Sequence, residues 1–398
     1  MSAAVIDRAP FLDKTMDVAE FVQLRRDIHQ HPELAFEEHR TSDLVEQRLS
    51  AWGYQVTRGL GGTGVVAQLR RGTGSKRLGL RADMDALPID EQTGLPHASI
   101  HAGVMHACGH DGHTAMLLAA AKRLAERGEF SGTLNLIFQP AEEGFGGAKK
   151  MMEDGLFEQF PCDAIFAMHN MPGFKPGHLL FRTGATMASS ENITITLHGK
   201  GGHGAMPHIA ADPVVAGAAI VMALQTIVSR NVAPLQMAVI TVGSFKAGQA
   251  NNVIPQTATL ELSVRSLDRD VRTLLNQRIE ELAQAQAQSF GVRAEVTFRG
   301  GYPVLVNTPL ETEFATQVAL DVVGAERVVA CTDALTGSED FAFMLEQVPG
   351  SYLFIGNGDA STGGHGACMV HNPSYDFDDS NIAVGSDYWV ALAHRYLV

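Results

Sequence analysis

The chain has 398 residues, of which 45% are hydrophobic and 19% are charged, and its formal net charge is −14. This length is too great for one ordinary domain and predicts two or three. The acidic balance argues against a nucleic-acid partner, because binding a phosphate backbone requires a basic surface.

Neither a secretory nor a membrane segment is expected. Residues 1–17 carry early acidic residues and contain no apolar run long enough for a signal peptide. Residues 214–228 fall short of the roughly 18–20 continuous apolar residues that span a membrane. Four cysteines in a chain of this length do not form a dense disulfide framework. We therefore expect a cytoplasmic protein that does not bind membranes and keeps its cysteines reduced.

The first half of the chain alternates patterns typical of helices and strands. Residues 15–52 are predicted to be mostly helical, with a break at His31-Pro32. Because strands that alternate with helices and are continuously apolar build buried sheets, an α/β domain is predicted. Its further elements are strands over residues 64–69, 78–81, 133–138 and 164–168, and a helix over residues 112–127.

The pattern changes near residue 188. Strands over residues 192–198, 237–245, 257–265 and 292–298 and helices over residues 212–229 and 268–290 are predicted. Their order, βαββαβ, is that of a ferredoxin-like unit. The α/β pattern resumes with a helix over residues 309–323 and a strand over residues 352–355. We predict a catalytic domain formed by residues 1–187 and 301–398 and interrupted by an inserted domain, residues 188–300.

The densest group of metal-ligating residue types is HACGHDGH, residues 106–113. Thiolate, imidazole and carboxylate are ligands for zinc and similar divalent ions. Because alternate residues of an extended segment point the same way, Cys108 and His110 could share one metal ion. The alternative is a polar loop that caps a helix, with His110 or His113 at the surface. Taken alone, this Cys-x-His signal is weak.

Two adjacent carboxylates, Glu142 and Glu143, follow the apolar strand predicted over residues 133–138. At a buried strand end such groups are costly unless they are paired or metal-bound, and ligands of open α/β sheets collect there. One could bind metal while the other transfers a proton. The alternative is an exposed helix start, where glutamates are favoured by the helix dipole.

His169 and His371 also lie at predicted element ends. Each alone is more often a structural histidine. The five candidate metal ligands, however, all lie in the predicted catalytic parts and none lies in the inserted domain, which favours one metal centre. They are Cys108, His110, Glu143, His169 and His371.

Eight ordered motifs resemble the amidohydrolase branch of the metallo-aminoacylase and carboxypeptidase superfamily. That branch includes hippurate hydrolases, auxin-conjugate hydrolases and N-acetyl-diaminopimelate deacetylases. The resemblance runs from about residue 20 to the end of the chain. Its motifs are RRDIHQHPEL (25–34), LRADMDALPI (80–89), MHACGHDGHTAMLL (105–118), FQPAEEG (138–144), GKGGHGAMPH (199–208), NVIP (252–255), SEDF (338–341) and VHNPSYDF (370–377).

The resemblance implies a zinc-peptidase-like α/β catalytic domain with an inserted ferredoxin-like α+β lid and dimerisation domain. Cys108 would bridge two divalent metal ions, and the other four ligands would complete their shells. Glu142 would be the general base and acid, and Asp85 would orient a metal ligand. His203 and Asn252 of the inserted domain would reach the substrate, with His203 steadying the oxyanion from the partner subunit of a homodimer or dimer-based oligomer. The alternative for His203 is a residue of a glycine-rich turn without a catalytic part.

The resemblance further implies hydrolysis of the amide bond of small N-acyl amino acids, hippurate-like or N-acetylated, by a water activated by two metals. Manganese, zinc, cobalt and nickel all suit a mixed thiolate, imidazole and carboxylate set. The alternative is a metallo-exopeptidase or dipeptidase of the same superfamily. A binding protein that has lost catalysis is disfavoured, because every expected position is filled.

Overall fold

The computed structural model describes residues 18–398, and residues 15–17 of the first predicted helix lie outside this range. Within it, the α-helices are α1 (Val18–Gln30), α2 (His39–Ala51), α3 (His110–Arg127), α4 (Gly147–Glu153), α5 (Leu156–Gln159), α6 (Pro213–Arg230), α7 (Arg269–Ser289), α8 (Pro309–Val323), α9 (Phe341–Leu345) and α10 (Asn381–Tyr396). The helices predicted over residues 112–127, 212–229, 268–290 and 309–323 begin within two residues of their predicted starts, whereas α4, α5 and α9 were not predicted.

The strands fall into two main sheets. They are β1 (Gln55–Leu60), β2 (Gly64–Arg71), β3 (Arg77–Asp83), β4 (Gly132–Gln139), β5 (Ala164–Pro172), β6 (Leu179–Phe181), β7 (Gly184–Met187), β8 (Ser189–His198), β9 (Gly202–His203), β10 (Ala238–Ala247), β11 (Val253–Ile254), β12 (Thr257–Ser266), β13 (Arg293–Phe298), β14 (Leu305–Asn307), β15 (Val328–Ala330) and β16 (Gly350–Gly358).

The first of two compact units takes in the described residues up to Gly184, together with Val306–Asp333 and Phe343–Val398. Its eight-stranded sheet has the order β1-β2-β4-β3-β5-β16-β6-β15. The neighbours β4, β3, β5 and β16 run parallel, whereas β1 and β2 are antiparallel additions at one edge. The carboxyl ends of the parallel strands therefore meet at one edge of the sheet.

Helix α3 is the central helix of this unit. Its residues from Ala115 to Ala121 are fully buried, and α1 and α10 pack beside it. A helix that is apolar on all faces is stable only inside a core, which explains the run of Ala, Leu and Met in this segment. The helix begins at His110, after Gly109 with φ +86°, a backbone conformation that glycine adopts without penalty.

The second unit takes in Ala185–Leu305 and Ala334–Ala342. Its antiparallel sheet has the order β10-β12-β8-β13, and α6 and α7 pack together on it. Strand β12 alternates buried and half-buried residues, and α7 buries residues at intervals of four. Asp212 and Asp268 cap the two helices through their carboxylates. The predicted α/β fold with a βαββαβ insertion is thus confirmed.

Several details differ from the sequence prediction. His169 lies inside β5, which continues to Pro172, rather than at the strand end. Helix α3 starts two residues earlier than predicted. Strands β6, β7, β14 and β15 have three or four residues each, which is too short for a recognisable period. The domain limits at residues 188 and 300 stay a prediction. In the structure the second unit begins at Ala185, and it also includes Ala334–Ala342, a segment predicted to be catalytic.

Among the described residues, α6 is the one helix long and apolar enough to cross a membrane. This is weak support for a span, because it rests on length and composition alone. Buried residues of α6 such as Ile220, Leu224 and Ile227 recur at helical spacing and contribute to the core of the second unit. The composition of α6 thus has a partial explanation in packing.

Candidate active site

The candidate residues of the first unit gather where its parallel strands end. Asp85 follows β3, Glu142 and Glu143 follow β4, and His169 lies near the end of β5. Because β3 pairs with β4 on one side and β5 on the other, these side chains are brought to one edge. His110 reaches the same place as the first residue of α3.

Two groups of potential ligands share one thiol. In the first, Cys108, His110 and His169 each offer an atom, and these atoms lie within 4.8 Å of one another. The Cys108 Sγ and His169 Nε2 atoms are 3.3 Å apart. In the second, Cys108 is joined by Glu143 and His371, again within 4.8 Å. Cys108 thus occupies the position from which one sulfur could contact two metal ions.

His371 reaches the site from a loop before α10. Its φ of +66° is unusual for a residue with a side chain, and its N–H donates to the Ala107 carbonyl at 2.7 Å. The His371 Nε2 atom lies 3.2 Å from Glu143 Oε1. Its ring is 51% exposed, whereas His110 is fully buried. Solvent therefore reaches this group from the side of His371.

Two histidines are hydrogen-bonded through Nδ1, so Nε2 is the ring atom of each that could bind a metal. The His110 Nδ1 atom lies 3.2 Å from the Asp85 carboxylate, and the His169 Nδ1 donates to the Asn170 carbonyl at 2.6 Å. An Nδ1–H held in this way places the lone pair on Nε2, which is the usual arrangement of a metal-ligating histidine. Asp85 also accepts the Glu143 N–H at 2.9 Å, so it orients two candidate ligands at once.

The residues fit divalent metal ions. Among residues 18–398, the buried His110 Nε2 and Glu143 Oε1 atoms make no hydrogen bond, although they lie 3.9 Å apart. Glu143 Oε1 also lies 3.2 Å from His371 Nε2, again without a hydrogen bond. Buried polar atoms without partners are costly, and a cation between them would satisfy both. A mixed sulfur, nitrogen and oxygen donor set suits zinc and the neighbouring transition metals.

The electrostatics of the site also favour a cation. Burial lowers the pKa of His110, but Asp83 and Asp85 outweigh this and raise it to about 10. Burial, with the charges of Glu143 and Glu142, raises the pKa of the Cys108 thiol well above its ordinary value. Burial lowers the pKa of His169 well below its ordinary value. The carboxylates create a negative potential in which a divalent cation would ionise the thiol.

Behind the candidate ligands lies a hydrogen-bonded layer centred on Asp83. Its carboxylate meets His113 Nδ1 and Arg81, each at 2.6 Å, and the Asn170 N–H donates to His113 Nε2 at 2.9 Å. Both ring nitrogens of His113 are therefore engaged, and His113 supports the site rather than binding metal. Burial would raise the pKa of Asp83, but His110, Arg81 and His113 hold it well below its ordinary value. No role was predicted for Arg81, which lies inside the motif of residues 80–89, or for Asn170, which follows His169.

A buried ion network fixes α1 to this site. The Arg25 guanidinium is fully buried and lies 2.7 Å from Asp111, and it also bonds Asp376. His29 contacts Asp111 at 2.8 Å, and His97 contacts Asp376. Asp111 follows His110, and Asp376 belongs to the loop of His371. The network therefore holds the two ligand-bearing segments against α1.

His203 and Asn252 lie in the second unit. Strand β9 pairs with β11, with His203 opposite Val253, and the Gly204 N–H donates to the Asn252 carbonyl at 2.7 Å. Both side chains are exposed, and the His203 Nδ1 accepts the Ala205 N–H at 3.0 Å. The two residues are thus neighbours within their own unit, and their role at a substrate stays a prediction.

Comparison with known proteins agrees with this geometry. Residues 79–395 match the model of peptidase family M20/M25/M40. The chain is 44% identical to a hippurate hydrolase of Campylobacter jejuni over 95% of this chain and 97% of that protein. It is 39% identical to the N-acetyl-L-cysteine deacetylase of Bacillus subtilis, over 95% and 88%.

A solved structure from Bacillus subtilis, described as a dinuclear metal binding peptidase from the M20 family, has a TM-score of 0.82 and 32% identity. The match covers 96% of this chain and 98% of that one. Sequence and fold therefore agree over nearly the whole length. The chain belongs to peptidase family M20/M25/M40 and is a metal-dependent amidohydrolase of that family.

Proposed function

We propose that this enzyme hydrolyses the amide bond of small N-acyl amino acids, with Glu142 as general base and acid. The observation that carries the proposal is the pair of ligand groups sharing Cys108, with Glu142 beside them. Glu142 forms a further close group with His110 and Glu143. The relatives named hippurate hydrolase and N-acetyl-L-cysteine deacetylase support an acylated amino acid as the substrate.

Two divalent metal ions would be held by Cys108, His110, Glu143, His169 and His371, with Cys108 between them. When bound, they would supply Lewis-acid catalysis and acidify the attacking water. Manganese, zinc, cobalt and nickel are all compatible with this donor set. Asp85 orients His110 and Glu143 from behind, which fixes the donor atoms before a cation binds.

Glu142 performs the proton transfers. It is only 7% exposed, which keeps its carboxylate in a water-poor environment next to the candidate ligands. It accepts a proton as water attacks the scissile carbonyl and delivers that proton to the leaving nitrogen as the C–N bond breaks. The products are a carboxylic acid and a free amino acid. No external acid or base is needed, because one carboxylate performs both transfers.

His203 and Asn252 would contact the substrate, with His203 steadying the oxyanion from a partner subunit. The exposure of both side chains is compatible with such a role. A homodimer or dimer-based oligomer is supported by the second unit itself. Strand β10 is an edge strand with exposed Val239 and Phe245, and α6 exposes Val215 and Met222. An apolar face beside an open strand edge is typical of a surface that pairs with another chain.

A cytoplasmic location is part of the same proposal. All four cysteines lie within the described part of the chain and are free thiols. Free thiols are favoured in a reducing compartment.

The test is amide hydrolysis on a panel of N-acyl amino acids and dipeptides, after chelation and readdition of single metals. Wild type is compared with Glu142→Gln and with Glu158→Gln, an exposed control of the same chemistry. Removal of the general base should lower kcat by about 10²–10⁴-fold, while the control retains it. Turnover of dipeptides alone would favour an exopeptidase, and full activity of Glu142→Gln would contradict the proposed role of Glu142.

A further inference from the structure

The segment that carries Glu142 has an unusual backbone. Ala141, directly before Glu142, is fully buried and has a φ of +54°. Residues with a Cβ rarely adopt this left-handed conformation, and they persist in it only where surrounding contacts enforce it. Some other part of the molecule must therefore hold Ala141 in this conformation. Because Glu142 is the next residue, the same contact also fixes the backbone from which the Glu142 side chain extends.

Glu38 makes that contact. Its carboxylate is fully buried, and its Oε1 accepts the Ala141 N–H at 2.9 Å although the two residues are 103 positions apart. Its Oε2 accepts the hydroxyl of Thr63. The Ala141 carbonyl in turn accepts the Gly147 N–H at 3.0 Å. Both backbone polar groups of Ala141 are thus hydrogen-bonded. The acceptor of its N–H is a side-chain carboxylate rather than a backbone carbonyl of a helix or strand.

Glu38 is itself held in place. It lies at the start of α2, and Glu33 caps the same helix by accepting the N–H groups of Arg40 and Thr41, each at 2.8 Å. At the other side of Glu142, Asp85 accepts the Glu143 N–H at 2.9 Å. Two carboxylates from separate elements therefore clamp the peptide groups on either side of Glu142.

We propose that Glu38 is a positioning residue, whose carboxylate holds Ala141 in its left-handed conformation and thereby fixes Glu142 for proton transfer. This inference rests on the proposed function of Glu142. The action is indirect, since it passes through the backbone of Ala141. A misplacement of about 1 Å at a reacting group can cost up to 10²-fold in rate, so the hydrogen bond should be visible in kcat.

The proposed role of Glu38 depends on the oxygen that accepts the Ala141 N–H and not on the negative charge of the carboxylate. Burial raises the pKa of Glu38 to about 7, so its charged and neutral forms both occur near neutral pH, and each offers an acceptor to Ala141. Glutamine offers the same carbonyl oxygen at the same reach. Aspartate keeps the charge but is one methylene shorter and withdraws from Ala141. Glu38→Gln and Glu38→Asp therefore separate the effect of the charge on kcat from the effect of the hydrogen bond to Ala141.

The experiment measures kcat, KM, metal content and thermal midpoint of the manganese-loaded enzyme on an N-acyl amino acid that the wild type turns over. Glu38→Ala and Glu38→Asp should lower kcat about 10- to 100-fold, with KM within about twofold and metal content unchanged. Glu38→Gln should retain most of kcat. Thr63→Val, which removes the other hydrogen bond of Glu38, is the matched control and should retain kcat.

Two further readouts exclude a purely structural role. In the Glu38→Ala background, Ala141→Gly should restore kcat severalfold, because glycine adopts a positive φ without a side-chain penalty. In the metal-free protein, amide hydrogen exchange of the peptide spanning residues 139–148 should accelerate in Glu38→Ala but not in Thr63→Val. Exchange is independent of turnover.

Unchanged kcat in Glu38→Asp and Glu38→Ala would overturn the inference. So would a loss of kcat that merely follows lost metal or a lowered thermal midpoint, without rescue by Ala141→Gly. If Glu38→Ala does not fold, Glu38→Asp against Glu38→Gln decides. If the wild type and Glu142→Gln both hydrolyse the substrate, the proposed role of Glu142 is contradicted. The inference about Glu38 then fails with it.

Discussion

The two compact units differ in how many charged side chains they bury. In the first, Arg25, Arg81, Asp83, Asp111 and His110 are all at most 1% exposed. The second buries Glu191, Glu339 and Asp340, but its core cluster is apolar and is formed mostly by aliphatic residues of α6, α7, β8 and β12. Burying a charge costs several kcal/mol unless it is paired and hydrogen-bonded. The first unit bears more of this cost, and it does so near the edge where its strands end, which is where chemistry is proposed.

The largest difference is expected from breaking the buried ion network. Arg25→Met leaves Asp111 and Asp376 buried without their cation and should cost about 3–5 kcal/mol of unfolding free energy. Urea denaturation measures the loss, and hydrogen exchange should show it in the first unit. A loss below about 1 kcal/mol would mean that the aspartates regain solvent or partners.

Truncation of the apolar core of the second unit should have a slightly smaller effect. Leu260 on β12 is fully buried in that core. Leu260→Ala should cost about 2–5 kcal/mol through lost transfer energy and a cavity. Hydrogen exchange should accelerate in the second unit, while kcat at saturating metal falls less than in Glu142→Gln. A matched effect on the catalytic rate would contradict the independence of the two cores.

Metal removal should affect the first unit selectively. At free metal about 100-fold above its dissociation constant, binding stabilises the native state by about 3 kcal/mol, and chelation removes this. The thermal midpoint should fall on chelation and recover on readdition in wild type. In Cys108→Ala the response should be strongly reduced. An undiminished response in that variant would show that the ions bind elsewhere.

The pH dependence of stability sharpens the comparison further. Burial and Arg25 lower the pKa of His29, but Asp111 and Glu91 outweigh them and raise it to about 9. The native state binds the His29 proton more tightly than the unfolded state does. Protonation of His29 therefore contributes its full amount to the unfolding free energy below about pH 6.5, and this contribution is lost as pH rises to 9. Unfolding free energy should fall across this window by roughly 1–3 kcal/mol.

The control for this experiment lies two positions further along the chain. His29→Gln should make the decline between pH 6.5 and 9 shallower, and the part that remains comes from His110, whose pKa is raised to about 10. His31→Gln, in which the replaced ring is 29% exposed, should retain the wild-type slope. His97, His106 and Asp376 also face this network, so the two variants are compared at each pH rather than with a calculated curve. Equal slopes in both variants would contradict the assignment to His29.

The smallest effect is expected from a surface pair of the second unit. Arg278 and Glu281 form an ion pair on α7, with both side chains more than a third exposed. Arg278→Met should change the unfolding free energy by about 0–1 kcal/mol, and less at high salt. Compared with Arg25→Met, this variant separates the effect of burial from that of charge. A loss near that of Arg25→Met would remove the distinction.

Much of the fold follows from local sequence pattern. The apolar run of α3, the alternation of β8 and β12 and the helical spacing of α7 each reflect neighbours two to four positions apart, so a single segment carries the signal. The metal-ligating residue types also stand out, because cysteine, histidine and paired glutamates rarely fall together by chance at predicted element ends. Their catalytic roles stay a prediction.

Only the tertiary structure decides which atoms meet. The free Nε2 of His110 depends on Asp85, and the backbone of Ala141 depends on Glu38, contacts that join residues 25 and 103 positions apart. The assignment of Ala334–Ala342 to the second unit and the continuation of β5 past His169 are likewise invisible locally. Such contacts depend on strand order and register, for example Asp83 opposite Gln139, and register is a property of the assembled sheet rather than of any one segment.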